Sequence, residues 1–233
     1  MIRVQRTPEP SELRNKATLW LSELKKLKSN PNSTPSAIKK AENKYNHPQV
    51  KDALIKMFHG KCAYCESKIR TVAYGDIEHF FPKSLYPDLT FVWKNLLLAC
   101  SICNNAAHKG TKFPLDDQGN PLLIDPTDGI TDPNRHLEFV WDDDAKLASV
   151  YGLDERGITV ENIFDLNGKR RRRQLIDNRS KYVRKLFALM TLAKQSDQEA
   201  LSLLKEACQP KEEYSAFALI YILPQILNLP KPV

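Results

Sequence analysis

Two Cys-x-x-Cys motifs constrain the fold of this sequence more than any other feature. They are Cys62/Cys65 and Cys100/Cys103, and 34 residues separate their inner members. Each motif can turn two thiolates towards one ion, and together the two motifs supply the four ligands of a closed tetrahedral zinc site. Because four thiolates leave no open coordination position, we expect this zinc to be structural and not catalytic. The sequence therefore predicts a small zinc-braced core.

Four cysteines could instead form two disulfides, as they do in many small secreted proteins. The chain opens with the short basic stretch MIRVQR and not with an apolar signal segment. We therefore expect a reducing compartment, the cytoplasm, in which the thiols stay free. The longest apolar run, 216–223, stops before Pro224 and is far shorter than a membrane span. We expect no membrane segment.

A short apolar stretch between the two motifs carries the dipeptide Glu78-His79. Gly75 precedes this stretch and Pro82 ends it, which is typical of a short strand. A histidine with a pKa near neutrality can take a proton from water, so His79 is a candidate general base. The competing interpretation is a buried structural histidine, but the acidic neighbour and the flanking cysteine motifs favour a catalytic one.

The second cysteine motif predicts a helix over 102–109 that ends at Gly110, since glycine commonly terminates helices. Asn104 and His108 would stand one turn apart on one face of this helix. Together with the carboxylate of Glu78, they could bind a hard divalent cation and leave positions for water and substrate. For His108, a solvent-facing position at the end of the helix is the competing interpretation.

The block between the motifs resembles the HNH nuclease motif, a ββα-metal site in its zinc-knuckle form. Over a wider span the chain is similar to the PtuB family, the HNH subunits of Septu-type and retron-associated anti-phage systems. The matching segments are CAYCE (62–66), EHFFPK (78–83), WKNL (93–96), CSICN (100–104), KG (109–110), FP (113–114) and IFDLN (163–167), with Arg179 downstream.

The resemblance implies a role for each matching residue. His79 is implied as the general base, and Glu78 as the acidic ligand of a catalytic Mg²⁺ or Mn²⁺, a position usually held by Asp. Asn95 matches the central Asn that ties down the loop around the base. Asn104 stands where the last His of the motif often occurs, and His108 is implied as a further ligand of the same metal.

For the whole chain, the resemblance implies an endonuclease that cleaves phosphodiester bonds, with DNA favoured and RNA, including tRNA, as the other substrate. It also implies a nuclease effector of an anti-phage defence system that works with a partner ATPase, PtuA. The alternative is a zinc-supported nucleic-acid-binding or adaptor module with an inactive HNH site. Two departures keep this alternative open, namely Glu78 in place of Asp and the additional residues Asn105 and Ala106 before His108.

The charge of the chain fits a polyanionic partner, because 35 Lys+Arg stand against 28 Asp+Glu, a formal net charge of +7. A long helix predicted over 170–193 carries many cations in its first half, which could contact a phosphate backbone. The alternative is a solvated basic face, and for Arg179, which falls on the apolar stripe, a buried structural role. The candidate nucleic-acid-binding residues are Arg170, Arg171, Arg172, Arg173 and Lys181.

The patterns predict a mainly helical α+β protein, and the resemblance implies a small, zinc-braced, treble-clef-like ββα-metal core within it. Residues 1–60 are expected to form helices that pack on the core, with the second and third helices starting at Thr34-Pro35 and His47-Pro48. Residues 61–115 are expected to form the HNH nuclease core. For residues 116–233 we expect a hairpin of 137–141 with 147–151, and helices over 162–167, 170–193, 196–208 and 212–227.

Overall fold

The structure is a computed structural model that describes residues 1–69 and 75–227. Residues 70–74 of the predicted nuclease core and 228–233 of the predicted C-terminal region lie outside the described residues. In chain order the helices are α1 (Ser11–Ser29), α2 (Pro35–Glu42), α3 (Pro48–Met57), α4 (Ser101–Asn104), α5 (Glu155–Phe164), α6 (Arg173–Lys194), α7 (Gln198–Ala207), α8 (Ser215–Phe217) and α9 (Leu223–Ile226). The strands are β1 (Asp76–His79), β2 (Leu96–Ala99), β3 (Leu137–Asp142) and β4 (Leu147–Gly152). This mixture confirms the predicted mainly helical α+β class.

The N-terminal helices form where capping residues and apolar spacing agree. Thr34 and His47 accept hydrogen bonds from backbone N–H groups in the first turns of α2 and α3, and a proline follows each of them. In α1 the buried side chains Leu13, Trp20 and Leu24 recur on one face. The predicted starts of α2 and α3 are confirmed.

The central hairpin consists of β1 and β2, which pair antiparallel from Asp76 opposite Ala99 to His79 opposite Leu96. All four residues of β2 are buried, so this strand lies within the hydrophobic core. Cys100 follows β2 directly, and its sulfur accepts a hydrogen bond from the backbone N–H of Cys103 at the start of α4. β1, β2 and α4 thus form the predicted ββα arrangement.

Both flanks of the chain hold this core. Arg6 Nη1 donates to the carbonyl oxygens of Trp93 at 2.7 Å and Leu96 at 3.0 Å. From the other side, the buried ammonium of Lys61 donates to the carbonyl oxygen of Glu212 at 2.7 Å. Residues from 1–60 and from 116–233 therefore contact the core directly, while the division into three regions stays a prediction.

The second hairpin, β3 with β4, forms over the predicted segments. Because this sheet has two strands, the outward N–H groups of β4 need partners elsewhere. Val150 N–H donates to Asn167 Oδ1 at 2.8 Å, and Ala148 N–H donates to Ser180 Oγ at 2.9 Å. The side chain of Asn167, in the matching segment IFDLN, thus accepts a hydrogen bond that a neighbouring strand would otherwise accept. The helices α5 and α6 pack against β4.

Two helix predictions after the hairpin are wrong in their starts. The helix predicted over 162–167 begins earlier, as α5, because Asp154 caps it by accepting a hydrogen bond from Gly157 N–H at 2.8 Å. The long helix predicted from 170 begins at Arg173. It starts later because the carboxylate of Asp165 holds the preceding backbone in a turn.

The last predicted helix, 212–227, is divided in the structure. It consists of α8, a π-helical turn over Ala218–Ile222 and α9. Pro224 lacks an N–H donor and its ring crowds the carbonyl four residues earlier, so the turn before it widens. Within the described ranges 1–69 and 75–227, no helix is long and apolar enough to cross a membrane.

Candidate active site and metal centre

The four cysteines of the two motifs converge on one point. Their sulfur atoms all lie within 4.8 Å of one another, and the Sγ atoms of Cys65 and Cys100 are 3.9 Å apart. Zinc–sulfur bonds of about 2.3 Å in a tetrahedron place the sulfurs about 3.8 Å apart, so the cluster fits such an ion. All five cysteines of the chain are free thiols, which agrees with the predicted metal site and not with disulfides.

The hairpin fixes the position of the first cysteine motif. Ala63 N–H donates to the carbonyl oxygen of Leu98 on β2 at 2.8 Å, so the motif is tied to the same strand that leads into the second motif. Hydrogen bonds from Cys100 and the other two thiols lower the pKa of Cys65 well below its usual value, although burial opposes the shift. Burial raises the pKa of Cys62 and of Cys103 well above the usual value. Cys65 therefore ionises more readily than these two, and a bound metal ion would release the remaining thiol protons.

Arg172 departs from its predicted role in nucleic-acid binding, because its side chain points into the protein. It is 5% exposed, and its Nη1 lies 2.6 Å from the carbonyl oxygen of Phe164 and 3.3 Å from Cys103 Sγ. The turn before α6 directs this one arginine towards the cysteine cluster. The other four candidates, Arg170, Arg171, Arg173 and Lys181, are exposed.

Arg179 is buried and structural, which is the alternative that its position on the apolar stripe of the helix indicates. Its guanidinium is buried and donates to the carbonyl oxygens of Ala148 at 2.6 Å and Leu166 at 3.0 Å. Nη2 also donates to Asn167 Oδ1 at 3.2 Å. Arg179 therefore joins α6 to β4 and to the segment after α5.

Glu78 lies on β1 with its carboxylate buried against the ammonium of Lys109. Oε1 is 2.5 Å from Lys109 Nζ, and both side chains are almost completely excluded from solvent. Burial raises the pKa of Glu78 to about 7, although the charge and hydrogen bond of Lys109 act to lower it. The ammonium also donates to the carbonyl oxygen of His79 at 2.8 Å, so one cation fixes both residues of the dipeptide.

His79 is buried, and its ring has defined neighbours. Nε2 donates to the carbonyl oxygen of Thr90 at 2.9 Å, which leaves the lone pair on Nδ1. The edge of the imidazole meets the ring of Tyr45 at a centroid distance of 4.5 Å and an interplanar angle of 87°. Burial lowers the pKa of His79 to about 4, so the ring is neutral at physiological pH.

Asn95 holds the loop that follows His79. Its Oδ1 accepts from Phe81 N–H at 2.7 Å, while Nδ2 donates to the carbonyl oxygens of Phe81 at 3.0 Å and Leu89 at 3.1 Å. Next to this loop, Thr90 supplies the carbonyl that fixes His79. This geometry agrees with the loop-holding role that the family resemblance implies.

Asn104 lies at the end of α4, where its Nδ2 is 3.3 Å from Asp76 Oδ2. Asp76 and Glu78 are two residues apart on β1, so their side chains leave the strand on the same side. The negative charge of Asp76 contributes to the raised pKa of Glu78, after the larger effect of burial. A second carboxylate therefore accompanies Glu78 and Asn104.

The helix predicted over 102–109 is wrong, because α4 ends at Asn104 and Asn105 is extended. Asn104 and His108 do not share a helix face. Instead, Asn105 Oδ1 accepts from His108 N–H at 3.2 Å and lies 3.1 Å from His108 Nδ1. A side chain that binds the following backbone favours a turn over a helix. The contribution of His108 to a catalytic metal stays a prediction.

Three neighbours of the site were missed by the sequence analysis. The alternation of side chains along a strand could have indicated Asp76, and the matching Lys109-Gly110 could have indicated Lys109. Nothing in the sequence indicated Tyr45, which lies in a 3-10 turn after α2. Burial and the nearby charge of Glu78 raise the pKa of Tyr45, and Lys83 Nζ lies 5.2 Å from the centre of its ring.

Comparison with known proteins agrees with this geometry. The family model described as HNH endonuclease matches residues 62–110. The chain is 30% identical to the Septu protein PtuB of Bacillus mycoides (strain KBAB4) over an alignment of 240 positions, gaps included, which covers 91% of this chain and 76% of that protein. It is also 30% identical to the Septu protein PtuB of Bacillus thuringiensis over 168 residues, 72% of this chain and 55% of that protein.

Proposed function

Because the chain belongs to the PtuB family of Septu proteins and carries an HNH endonuclease domain, we propose that it hydrolyses phosphodiester bonds with a divalent metal, with DNA as the favoured substrate. The observation that carries this proposal is the state of His79. Its ring is neutral, and its Nε2–H is committed to the carbonyl oxygen of Thr90. Only Nδ1 can then accept a proton.

The proposed chemistry begins with a water molecule beside His79 Nδ1. The imidazole takes a proton from that water while the water oxygen attacks the phosphorus. The bond from phosphorus to the leaving oxygen breaks, and the leaving oxygen takes a proton from solvent. General-base action of this kind contributes on the order of 10²–10⁴ in rate. Asn95 fixes the loop that carries the Thr90 carbonyl, and Tyr45 limits the rotation of the ring. These contacts keep the base in one orientation, which is what efficient proton transfer requires.

Glu78 and Asn104, with Asp76 as an added candidate and His108 as predicted from the sequence, would hold the catalytic Mg²⁺ or Mn²⁺. Carboxylate and amide oxygens suit these hard cations. Such a cation would stabilise negative charge on the phosphate and on the leaving oxygen. Lys109 keeps the Glu78 carboxylate in place and partly offsets the effect of burial on its pKa.

The four-cysteine cluster is proposed to bind Zn²⁺ as a closed structural site. Zinc in this position would fix the ends of β2 and the first cysteine motif relative to each other. The chemistry of the donor set supports zinc, since four thiolates in a tetrahedron select it over harder cations.

Nucleic acid is proposed to bind along the basic surface formed by Arg170, Arg171, Arg173 and Lys181. These side chains are exposed, and Arg173 also pairs with Asp177 at 3.0 Å. An exposed pair of this kind is weak, so phosphates can compete for the arginine. We further propose, from membership of the family, that the protein is the nuclease subunit of an anti-phage defence system, acts in the cytoplasm and works with the ATPase PtuA.

The test compares plasmid DNA and RNA, including tRNA, as substrates for the protein with and without the ATPase, in Mg²⁺, Mn²⁺ or EDTA. We expect metal-dependent cuts that the His79→Ala variant does not make. Cuts in RNA alone would reject the DNA preference. No cut with the ATPase present, on any of these substrates, would reject the nuclease.

The alternative function, a zinc-supported binding or adaptor module, is favoured by one observation. Glu78 is 4% and His79 is 5% exposed, so neither group is open to a substrate in this conformation. An adaptor would bind nucleic acid or the ATPase equally well with metal or with EDTA, and the His79→Ala change would leave that binding unaltered.

A further inference from the structure

Arg172 is a buried cation whose closest anionic neighbours are sulfur atoms. Its Nη1 donates towards Cys103 Sγ at 3.3 Å, and none of the ion pairs formed within residues 1–69 and 75–227 includes it. The carbonyl oxygen of Phe164, 2.6 Å from Nη1, is a neutral partner. A buried guanidinium without a counter-charge is costly, and the cysteine cluster is the neighbour that can supply one.

The charge of a loaded cluster explains why a cation is needed there. Four thiolates around one Zn²⁺ ion would leave two negative charges in excess, at a site where three of the four cysteines are buried. A guanidinium within hydrogen-bonding distance of one sulfur removes half of that excess. It also supplies an N–H donor to a ligand atom, and such outer contacts orient metal ligands and tune their affinity.

The turn in the backbone before α6 directs the side chain of Arg172 towards the cysteine cluster. The carboxylate of Asp165 accepts from the backbone N–H groups of Lys169 at 2.9 Å and Arg171 at 3.0 Å, which closes the turn. Gly168 has a φ of +63°, and a Cβ at this position would meet the carbonyl oxygen of Arg172 at 2.8 Å. The same turn that leaves Arg170 and Arg171 exposed therefore aims Arg172 at the metal centre.

We propose that Arg172 is a positioning residue of the four-cysteine metal centre and couples it to the basic segment 169–173. Its charge and its N–H···S hydrogen bond stabilise the metal-bound cluster. In return, the metal-bound thiolates provide the counter-charge that keeps Arg172 buried and the basic segment in its turn. This inference rests on the proposed zinc site and not on the proposed phosphodiester chemistry.

The test uses the full chain with Arg172→Met, Arg172→Lys and, as a matched control, Arg184→Met, an exposed arginine on the same helix. Each protein is loaded with Zn²⁺ for competition against a chelator, and with Co²⁺ for its sulfur-to-metal absorption bands. Loss of an outer partner typically costs 10–100-fold in metal affinity. We expect about a tenfold or larger loss and a shifted Co²⁺ spectrum for Arg172→Met, a smaller loss for Arg172→Lys, and no change for Arg184→Met.

An Arg172→Met protein with the zinc affinity and Co²⁺ spectrum of the wild type would overturn the inference. If that variant does not fold, Arg172→Lys decides, because it keeps the charge but cannot reproduce the same N–H···S bond. An unchanged Co²⁺ spectrum in Arg172→Lys would then count against the inference. A wild-type chain that binds neither ion rejects the zinc site and the inference together. A chain that binds zinc as expected but cuts no nucleic acid rejects only the nuclease.

Discussion

The β1–β2 hairpin carries two sites that differ in how complete they are. At the end where Cys100 follows β2, two local motifs bring four sulfurs within 4.8 Å of one another. These four sulfurs are enough to complete a tetrahedral metal site. At the end where His79 pairs with Leu96, the polar groups are held by neighbours from several parts of the chain. The first site would need only its proposed ion, whereas the second, as proposed, would need both a cation and a substrate.

The largest effect is expected from removing one ligand of the four-cysteine cluster. Cys103→Ser should reduce bound zinc to less than about one tenth and unfold much of the core, because structural zinc contributes on the order of 10 kcal/mol to small metal-dependent folds. Zinc content and thermal unfolding measure this. Cys208→Ser is the matched control, since Cys208 lies outside the cluster, after α7. A Cys103→Ser protein with normal stability would contradict a bracing role.

A change at the site around His79 should instead reduce activity and leave the protein folded. His79→Ala is expected to lower turnover by about 10²–10⁴, the contribution of a general base, with zinc content unchanged. His136→Ala, a change at an imidazole paired with Asp154, serves as the control. If His79→Ala destabilised the chain as strongly as a cysteine change does, His79 would be a structural histidine and the contrast between the sites would fail.

Tyr45 tests whether the N-terminal region belongs to the second site. Tyr45→Ala removes the ring that packs against the His79 imidazole, and we expect about a tenfold loss in kcat because the base is less well oriented. Tyr45→Phe keeps the ring and should retain most of the activity. Equal losses for Phe and Ala would show that the hydroxyl, and not the packing of the ring, is what matters.

The pH dependence should also separate metal binding from proton transfer. Glu78 has a pKa of about 7, so acidification from pH 8 to pH 6 protonates the carboxylate and should weaken Mg²⁺ binding by up to about tenfold. His79 has a pKa of about 4, so it stays neutral over the same range. Cleavage rates at several Mg²⁺ concentrations measure this. A kcat that falls equally at saturating Mg²⁺ would contradict the assignment.

The smallest effect is expected at the surface. Arg171→Gln should reduce the salt dependence of DNA binding by about one unit of slope, as expected for one lost phosphate contact. Arg172→Gln in its zinc-loaded form should leave that slope unchanged, because Arg172 faces the cysteine cluster. Binding isotherms at several salt concentrations measure both. A lower slope for Arg172→Gln would show that Arg172 contacts nucleic acid.

The parts of the molecule that the sequence predicts well are those fixed by local chemistry. The cysteine motifs, the caps Thr34 and His47 and the β3–β4 hairpin follow from nearby residues, and the structure has all of them. The contact between Tyr45 and His79 joins residues far apart in the chain, so no local pattern could reveal it. The helix through His108 failed because the side chain of Asn105 competes for the backbone.

Arg172 shows a further reason for failure. Residues 170–173 are four consecutive arginines, and such a run predicts one solvent-exposed basic surface. Spacing alone therefore cannot indicate which of the four side chains is buried. The choice is made by the turn at Asp165 and Gly168, whose geometry depends on the packing of α5 and α6 against β4. Sequence patterns therefore assigned the charge of this segment correctly but not the direction of each side chain.

The ammonium of Lys109, completely buried between Glu78 and the carbonyl of His79, has a consequence for how the resting centre is loaded. If the proposed catalytic metal binds at Glu78, this ammonium already holds a positive charge next to the place that the dication would occupy. A metal ion that arrived alone would be repelled by this charge, whereas an ion that arrived with a polyanion would bring its own compensation. We would then expect metal and substrate to bind together, which would keep the protein inactive until a substrate is present.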